Sequence, residues 1–564
     1  MTRKLRFEIK SKDVAGRIGK VEINGKTIET PAIMPVYNPN SPVIPIDELQ
    51  RVFGAPALMT NAYMALKNEE LKKEYIEKGI HKALGFDGII ATDSGSYQLM
   101  VYGGVTTTNK SIIEFQENIG SDIGSFLDIP TLPDAYKPRA EEQLDITLKR
   151  AKDALDAKFL VNAGVQGGKY LDLRKKAAGE IGANFELVAV GGIVRLMEDY
   201  RFSELADVIA AVKSTIPTNR LVHAFGLGHP MVFGLAAALG CDLFDSAAYA
   251  LYAKEGRYLT RDGTKRISEL EYLPCSCPVC SSHTAMDMQE KDLAMHNLYV
   301  TFEEIRRVKQ AIKDGSLWEL VQIRARSHPR LLAALERMVE YPYLAELDPI
   351  TKGSAFFWGG GESAKRSEIV NAKRRLLNVE SDNLVHIAPY GDIPAELSDI
   401  YPFNSTMMPE ENEIFGTARD IEKIKKIMDY QFGKGAGDLV PGNVKIVRSK
   451  KTRRIRRIYY KNELIASIRA SDHMILPKKL LLDKLHKKFE KPRLRVVIDD
   501  EAVPFVAEGK SVFSKFVTGV DTDLRCGDFA LIVDSKDNMV ASGSLVLSPK
   551  EMLDFDRGPA VNVR

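Results

Sequence analysis

The sequence predicts an α/β protein whose N-terminal part is a parallel (β/α)8 barrel of the TIM type, and two observations favour this. Short apolar segments rich in β-forming residues recur at fairly even spacing over residues 31–250. Charged segments with helical periodicity, such as NEELKKEYIEKGIHKAL and RAEEQLDITLKRAKDAL, lie between most of them. Strands that are apolar throughout are typical of a parallel sheet covered by helices, and eight of them match a closed barrel. A doubly wound open sheet is the alternative.

The eight predicted strands follow one another along the chain. In order they are PAIMPV from Pro31, ALMTNAY from Ala57, GIIATDS from Gly88, IGSFLDIP from Ile123, FLVNAGVQGG from Phe159, ELVAVGG from Glu186, RLVHAFGLG from Arg220 and LFDSAAYA from Leu243. In a barrel of this kind the chemistry occurs at the carboxyl ends of the strands, where the following loops build a pocket. Candidate functional residues are therefore expected at those ends.

Three of the strand ends carry an aspartate. Asp93 ends GIIATD, Asp128 ends GSFLD, and Asp245 follows DLF. A single aspartate after a strand is commonly the N-cap of the next helix, but three at one barrel mouth favour a catalytic site. Paired carboxylates suit chemistry at an anomeric carbon, because one can attack the carbon while the other moves a proton at the leaving group. We expect the three side chains to line a common cavity.

Glycines mark two other strand ends. Gln166 with Gly167 and Gly168 ends VNAGVQGG, and Gly191 with Gly192 ends LVAVGG. Residues without side chains let backbone amides and carbonyls approach a ligand closely, so these ends would suit a flat base. Neither stretch matches a Walker loop or a dinucleotide-binding fingerprint, so a triphosphate or dinucleotide site has little support.

Length and composition indicate a soluble protein of several domains. The chain has 564 residues, of which 45% are hydrophobic and 27% charged, and one hydrophobic core rarely serves so long a chain. No signal-peptide core and no run of eighteen uncharged apolar residues is present, so we expect a cytoplasmic protein without membrane association. Five cysteines are too few for a disulfide framework. Cys241 and Cys526 stand alone and are expected to be packing residues.

The other three cysteines lie within LPCSCPVC. Cys275, Cys277 and Cys280 can present three thiolates to one ion from a tight loop, and Zn²⁺ is the ion that such a ligand set favours. The fourth ligand is expected to be a histidine, either His283 or His296. We favour His296, which lies near the start of a long amphipathic helix, because His283 would crowd the same turn. With four protein ligands the single zinc ion of the chain is expected to be structural.

A basic segment lies towards the C-terminus. Residues 445–493 contain 17 Lys or Arg against 4 Asp or Glu, a net charge of +13 in a chain whose total is +3. Apolar residues alternate with the cations in KIVRSKKTRRIRRIYY, which predicts a folded sheet with a cationic face rather than a disordered tail. Such asymmetry indicates a module that binds a polyanion, and clustered Lys and Arg suit the phosphates of nucleic acid.

Several motifs together resemble a known family. TDSGSYQ from Thr92, FLDIPT from Phe126, VQGG from Val165, AVGGIV from Ala189, FDSAAY from Phe244, and CSCPVC followed by HNL look like the archaeal branch of the tRNA-guanine transglycosylase family. LRCGDFALIVDSKDNMVASGSLVLSPKEM resembles a PUA domain, a small RNA-binding β-barrel. The resemblance implies exchange of guanine at position 15, in the D-loop of tRNA, for 7-cyano-7-deazaguanine in archaeosine biosynthesis. The exchange would pass through a covalent enzyme–RNA intermediate.

The resemblance also implies roles for the residues at the barrel mouth. Asp245 matches the nucleophile that attacks the ribose, and Asp93 matches the general acid/base. The histidine of the HNL motif, His296, matches the fourth zinc ligand. Because members of the family are often dimers, the resemblance implies a homodimer as well.

A second group of residues is implied to bind the base. Asp128 matches the residue that reads the guanine edge, with help from Gln166. Tyr97 stands where the family places an aromatic side chain that stacks on the base. The remaining base contacts are implied to come from the backbone of Val190, Gly191 and Gly192.

Four domains are expected along the chain. Residues 1–335 would form the catalytic barrel with the zinc site at 275–296, residues 336–425 a small α+β domain, residues 426–490 the basic RNA-binding domain, and residues 491–564 the PUA domain. Two other functions remain open: a paralogous archaeosine-pathway enzyme that modifies the inserted base, and a non-catalytic, zinc-stabilised RNA-binding protein. The three intact carboxylates at the predicted mouth favour the transglycosylase.

Overall fold

The computed structural model describes residues 5–96, 107–354, 356–409 and 419–564. The chain forms two compact units, Met1–Lys313 with Leu320–Met338, and Asp314–Glu319 with Val339–Arg564. Within the described ranges, no helix has both the length and the apolar character needed to cross a membrane.

The first unit contains a nearly closed barrel. A three-stranded antiparallel sheet comes first, formed by β1 (Leu5–Asp13), β2 (Gly16–Ile23) and β3 (Lys26–Glu29). The eight parallel strands are β4 (Ala32–Pro35), β5 (Ala57–Asn61), β6 (Ile89–Asp93), β7 (Ile123–Gly124), β8 (Leu160–Val165), β9 (Leu187–Val190), β10 (Leu221–Ala224) and β11 (Leu243–Ser246). They pair in the order β4-β11-β10-β9-β8-β7-β6-β5, and a parallel bridge between Val36 and Met59 joins the two ends. The predicted (β/α)8 fold is confirmed.

Helices cover the outside of this barrel. They are Ile46–Arg51, Ala62–Lys67, Glu69–Lys78, Ile80–Leu84, Asn109–Ile119, Lys137–Lys152, Leu171–Asn184, Val194–Glu198, Phe202–Thr215, Phe233–Ala238 and Ala248–Lys254. Every residue of β8, β9 and β10 is buried. This double-sided burial is why these strands read as continuous apolar runs rather than as an alternating pattern.

One barrel strand is much shorter than its sequence predicts. The apolar run from Ile123 extends to Pro130, but β7 contains only Ile123 and Gly124. Beyond β7, the buried side chain of Gln116 makes the hydrogen bonds that a neighbouring strand would otherwise make. Its Oε1 accepts the N–H of Ser125 at 3.0 Å, and its Nε2 donates to the C=O of Ser125 at 2.7 Å. Because these side chains satisfy the backbone, the chain can leave the sheet and carry the residues that follow into the mouth.

A buried ion pair ties the N-terminal sheet to the barrel. Arg17 of β2 donates from Nε and Nη2 to the two carboxylate oxygens of Asp242, at 2.8 and 2.7 Å. The same carboxylate accepts the N–H of Val222 at 2.8 Å. Asp242 immediately precedes β11 and Val222 belongs to β10, so this contact fixes the start of the two adjacent strands that approach the mouth.

The chain after the barrel begins with a hairpin and long helices. Strands β12 (Arg257–Thr260) and β13 (Gly263–Arg266) pair antiparallel, and a short helix, Pro278–Ser282, follows them. The helix Glu290–Asp314 runs for 25 residues. Helices Leu317–Ala325 and Pro329–Met338 come next.

The second unit contains several small sheets. Its strands are β14 (Phe356–Phe357), β15 (Leu384–Ile387), β16 (Gly391–Pro394), β17 (Thr406–Met407), β18 (Lys445–Arg448), β19 (Ile455–Tyr460), β20 (Glu463–Ile468), β21 (Ile475–Pro477), β22 (Arg495–Ile498), β23 (Val512–Phe513), β24 (Val517–Val520), β25 (Phe529–Val533), β26 (Met539–Leu545) and β27 (Pro559–Val563). Its helices are Pro342–Leu347, Ser367–Leu376, Asp420–Phe432, Lys479–Lys488, Val503–Ala507 and Pro549–Asp554. Strands β22–β27 form a six-stranded sheet.

The basic segment is folded, as its alternating pattern predicts. Strands β18–β21 form a four-stranded antiparallel sheet followed by helix Lys479–Lys488. Ile455 and Ile458 of β19 are buried, whereas Arg457 between them is exposed. The exposed cations of this sheet are therefore held on a defined surface.

Candidate active site and metal centre

The three aspartates predicted at the barrel mouth lie close enough to interact electrostatically. Asp93 is the last residue of β6, Asp245 lies in β11, and Asp128 lies in the loop after β7. Burial raises the pKa of Asp93 to about 7, and the charges of Asp128 and Asp245 act in the same direction. Coulomb interactions weaken with distance and with solvent screening. The effect of Asp128 and Asp245 on Asp93 therefore indicates that the three carboxylates lie near one another.

Among the residues that the structure describes, neutral donors rather than a cation hold the carboxyl group of Asp93. Asn61, the last residue of β5, donates from Nδ2 to Asp93 Oδ2 at 3.0 Å. The amides of Ser94 and Gly95 also donate to this carboxylate and oppose the rise of its pKa. A carboxyl group with a pKa near neutrality can both give and take a proton at physiological pH.

Asp128 is held by neighbours from other strands. Gln166, directly after β8, donates from Nε2 to Asp128 Oδ2 at 2.6 Å. Burial raises the pKa of Asp128, while hydrogen bonds from Ser96 and Gln166 lower it. A Cβ atom on Gly164 of β8 would lie 2.4 Å from the same oxygen, so the glycine leaves the space that the carboxylate occupies.

The two glycine-rich strand ends are joined by a buried arginine. Arg174 donates from Nε to the carbonyl of Gly168 at 2.8 Å, and from Nη1 to the carbonyls of Val165 and Gly191 at 2.6 and 2.8 Å. The side chain is fully buried. It therefore fixes the VQGG and VGG turns relative to each other.

Much of the backbone predicted to contact a base is already used inside the protein. The carbonyl of Val190 accepts from Phe225 N at 3.3 Å, and the amide of Gly191 donates to Val165 O at 3.2 Å. Gly192 has a φ of +67° and is partly exposed. Among the described residues, no hydrogen bond engages its amide, so Gly192 is the member of the predicted trio best able to serve a ligand.

Asp245 has one carboxylate oxygen engaged. Oδ1 accepts the N–H of Gly226 at 2.7 Å and lies 2.9 Å from Nε2 of the buried His223. Gly226 has a φ of +79°, and a Cβ atom there would lie 2.4 Å from Val194 Cγ2. This glycine is required both by its backbone conformation and by the space around it.

Tyr97, the predicted stacking residue, lies outside the described residues. The other residues predicted to bind the base, which are Asp128, Gln166 and those of the glycine turns, are all described.

The predicted metal ligands form one cluster. Cys275, Cys277, Cys280 and His296 offer ligand atoms that all lie within 4.8 Å of one another. Nδ1 of His296 lies 3.2 Å from Cys280 Sγ and 3.6 Å from Cys277 Sγ. Three thiolates and an imidazole at these distances form a four-atom donor set that could hold a metal ion and is compatible with zinc.

The surroundings of His296 orient its ring for this purpose. Nε2 donates to the carbonyl of Leu259 at 2.9 Å, which leaves the lone pair of Nδ1 facing the sulfur atoms. The Tyr258 ring stacks on the imidazole with centroids 3.7 Å apart. His283, the other candidate, instead places Nδ1 3.0 Å from the carbonyl of Val279 and lies outside the cluster.

Sequence reasoning missed several residues that build the mouth. Asn61, Arg174, His223 and Gly226 contact the predicted residues, but the sequence analysis assigned no functional role to any of them. For His223 a signal was present, because a histidine interrupts the apolar strand RLVHAFGLG. The contacts of Asn61 and Arg174 depend on neighbouring strands, which a single sequence does not pair.

Comparisons with known proteins match the chain along its length. The model of the family described as queuine tRNA-ribosyltransferase matches residues 12–330. The patch-forming domain C2 of tRNA-guanine transglycosylase matches residues 422–492, and the PUA domain matches residues 494–564. The match over residues 12–330, more than half of the chain, defines the class of the protein as a glycosyltransferase.

Curated relatives of similar length include archaeal proteins named tRNA-guanine(15) transglycosylase. The protein from Pyrococcus furiosus is 48% identical over 576 aligned residues, which cover 99% of this chain and 98% of the relative. Those from Thermococcus kodakarensis and Methanococcus aeolicus are 47% and 41% identical, with 98% and 99% of their lengths covered. The chain belongs to the tRNA-guanine transglycosylase family.

Proposed function

We propose that this chain is a tRNA-guanine(15) transglycosylase that exchanges the guanine at position 15, in the D-loop of tRNA, for 7-cyano-7-deazaguanine in archaeosine biosynthesis. The observation that carries the proposal is the meeting of Asp93, Asp128 and Asp245 at one barrel mouth in three different environments. Two carboxyl groups with separated tasks are what displacement at an anomeric carbon requires.

In the first step Asp245 acts as the nucleophile. Its carboxylate oxygen forms a bond to the ribose C1′ while the bond from C1′ to guanine N9 breaks, and the electron pair of that bond goes to guanine. Asp93, whose pKa is raised to about 7 by burial, supplies the proton that lets guanine leave as a neutral base. The RNA is then attached to the enzyme through an ester-like C1′–O bond.

In the second step the direction of proton transfer reverses. Asp93, now ionised, takes the N9 proton of the incoming deazaguanine, and N9 forms a bond to C1′. The C1′–O bond breaks and its electron pair returns to the carboxylate of Asp245. No electrons are gained or lost overall, so no redox cofactor is needed.

Asp128 and Gln166 supply recognition of the base. Guanine presents N–H donors at N1 and its exocyclic amine, and a buried carboxylate such as Asp128 can accept from both. These donors would stabilise the ionised form of a group whose pKa burial raises. Adenine lacks this donor edge and would leave the buried carboxylate unpaired, so it should be rejected. Tyr97 is proposed to stack on the base.

We assign Zn²⁺ to the cluster of Cys275, Cys277, Cys280 and His296. The cluster offers four protein ligand atoms, the number that completes the shell of a structural zinc ion, so the ion would take no part in the reaction. None of the five cysteines forms a disulfide, which agrees with the cytoplasmic location that we propose.

The remaining domains are proposed to bind tRNA. A D-loop base that pairs within the tRNA core must be released before a barrel mouth can reach it, and RNA-binding domains can supply the energy for that distortion. We propose a basic RNA-binding domain at 426–490 and a PUA domain at 491–564, after a barrel domain at 1–335 and an α+β domain at 336–425. The matches at 422–492 and 494–564 support these bounds. We further propose that the protein acts as a homodimer.

Incubation of the enzyme with unmodified tRNA and labelled guanine tests the activity. The proposal predicts incorporation of one label per tRNA, at position 15, and its replacement when 7-cyano-7-deazaguanine is added. The mass of the base released by nuclease digestion identifies what was inserted. A paralogue that modifies an inserted base, or a non-catalytic RNA-binding protein, would incorporate no label, and that result would refute the proposal.

A further inference from the structure

His223 touches the proposed nucleophile from inside the barrel. The residue lies on β10, which pairs in parallel with β11, and its side chain has no exposed surface. Its Nε2 lies 2.9 Å from Asp245 Oδ1. The amide of Gly226 donates to the same oxygen at 2.7 Å. Among the described residues, no hydrogen bond engages Oδ2, so the two oxygens of this carboxylate are not equivalent.

The opposite side of the His223 ring faces a buried side-chain amide. Asn162, a buried residue of β8, places Nδ2 3.0 Å from Nδ1 of His223, while its Oδ1 is farther away at 3.3 Å. Because an ionised carboxylate oxygen can only accept, Nε2 carries the hydrogen that faces Asp245 Oδ1. Nδ1 is then free to accept from the side-chain amide of Asn162. The ring of Phe225 stacks on the imidazole with centroids 5.0 Å apart. His223 is thereby held as a donor that points at Asp245.

We infer that His223 is a positioning residue for Asp245, an inference that rests on the proposed transglycosylase function. The donors on Oδ1, His223 and the Gly226 amide, fix the rotation of the carboxylate and leave the lone pairs of Oδ2 for the ribose C1′. A nucleophile held in this way needs less reorganisation to reach an attacking geometry. His223 transfers no proton and does not touch the substrate.

The same hydrogen bond assists the second step. When Oδ2 is bonded to C1′, Oδ1 is the carbonyl oxygen of the ester. As the C1′–Oδ2 bond breaks, negative charge returns to both oxygens, and donors that already face Oδ1 stabilise it without rearrangement. Loss of the His223 donor should therefore slow both the formation of the covalent RNA adduct and its resolution.

Substitutions of His223 by Gln, Asn and Leu separate a positioning role from simple packing. In His223→Gln the side-chain amide nitrogen can take the place of Nε2 and donate to Asp245. In His223→Asn the shorter side chain can bond Asn162 but does not reach Asp245. His223→Leu fills the space and removes the donor altogether. If the Leu variant does not fold, the comparison of Gln with Asn remains decisive, because both variants are polar and neither is larger than histidine.

The experiment measures exchange of labelled guanine into tRNA by the full-length enzyme, together with single-turnover formation of the adduct. For the Asn and Leu variants we expect kcat to fall about 10²–10³-fold, the size of effect seen when one preorganised donor is removed, with KM for tRNA nearly unchanged. His223→Gln should recover activity to within about tenfold of the wild type. This pattern supports a positioning role.

Equal activity of folded Gln and Asn variants would overturn the inference, as would a defect confined to KM for tRNA. The control Asp245→Asn separates the inference from the function on which it rests. If the wild-type enzyme exchanges no guanine, or if Asp245→Asn still forms the adduct, the proposed function fails. If both controls behave as expected and His223→Leu matches the wild type, only the role of His223 is refuted.

Discussion

At the scale of single residues, the protonation of Asp93 sets the pH range of the proposed reaction. Its pKa is raised to about 7 by burial and by the charges of Asp128 and Asp245. In the proposed mechanism, guanine can leave as a neutral base only while Asp93 is protonated. We expect the single-turnover rate of adduct formation to fall about tenfold per pH unit above pH 7 and to level off below it. A rate that stays constant, or rises, from pH 6 to 9 would contradict this assignment.

The same raised pKa predicts a pH-dependent change in stability. The folded state holds the Asp93 proton more tightly than the unfolded chain, whose ordinary pKa is 3.8. The contribution of this group is therefore fully favourable below pH 3.8 and is lost as pH rises through about 7. Asp93→Asn should raise the free energy of unfolding at pH 8 by on the order of a few kcal/mol and change it little at pH 4. Denaturant unfolding at both pH values measures the difference, and an equal effect at the two would argue against it.

Gly164 is predicted to be essential for the position of Asp128, the carboxylate that we propose reads the guanine edge. The Cβ atom of Gly164→Ala would lie 2.4 Å from Asp128 Oδ2, so Asp128 would have to move. We expect KM for the free base to rise at least about tenfold, because a displaced acceptor loses a charged hydrogen bond. Gly179→Ala is the matched control, since its Cβ atom would meet nothing closer than Thr215 Cγ2 at 4.0 Å. Equal kinetics for the two variants would count against the role of Asp128.

A functional residue could be predicted from the sequence when its position along a strand was enough to indicate its place in the fold. Asp93, Asp128 and Asp245 could be predicted to converge, because residues at the carboxyl ends of parallel strands meet at one edge of the sheet. The contacts of His223 and Arg174 could not be predicted, because they are made to partners on other strands or turns, such as Asp245 and Gly191. For His223 the sequence offered only the signal of a histidine within an apolar strand. Which strands lie next to each other, and which side chains then touch, is a property of the folded sheet and cannot be read from a single sequence.

At the scale of elements, the metal cluster is expected to hold the segment after the barrel in place. Cys280→Ser should abolish binding of one Zn²⁺ per chain and lower Tm by several degrees, because the binding energy of a structural ion contributes to folding. His283→Ala is the control, since His283 lies outside the cluster. Metal analysis and thermal unfolding of both variants check this. Loss of zinc from His283→Ala with retention in Cys280→Ser would reverse the assignment.

Elements were predicted well where one physical signal dominates. The eight barrel strands follow from burial on both faces, and the sheet at β18–β21 follows from the alternation of apolar and cationic residues. The length of β7 could not be predicted, because side-chain hydrogen bonds from Gln116 replace its ladder. An apolar run in the sequence indicates that the segment is buried, but it does not distinguish a strand from a loop. A buried loop whose backbone groups are hydrogen-bonded by side chains has the same apolar sequence.

At the scale of the whole molecule, tRNA affinity should depend strongly on salt through the basic sheet. Lys445, Lys450, Lys451 and Arg457 are exposed and form no ion pair with another described residue. Replacing all four by alanine should reduce the slope of log affinity against log salt by about 0.9 for each phosphate that the variant no longer neutralises.

The matched control replaces four exposed lysines on the outer helices of the barrel, Lys73, Lys78, Lys110 and Lys176, by alanine. Filter binding at several salt concentrations measures the slopes. The control should leave the slope near that of the wild type. An unchanged slope in the basic-sheet variant would show that phosphates are bound elsewhere.

At this scale the sequence indicated a basic module and four domains, whereas the chain forms two compact units. The basic segment 445–493, with its net charge of +13, is only one part of the second unit. The limits of those units could not be read from the sequence, since residues 314–319 belong to the second unit although the next nineteen residues, 320–338, return to the first. Such an exchange depends on tertiary packing rather than on local composition.

The most direct test of the proposed mechanism is to locate the covalent RNA adduct. The enzyme is mixed with unmodified tRNA in the absence of an incoming base, denatured, and digested with protease and nuclease, and the peptides are analysed by mass spectrometry. We predict a ribose fragment attached to the Asp245 side chain, with no such fragment in Asp245→Asn. A fragment attached to Asp93 or Asp128, or a fully active enzyme that forms no adduct, would contradict the assignment of Asp245 as the nucleophile.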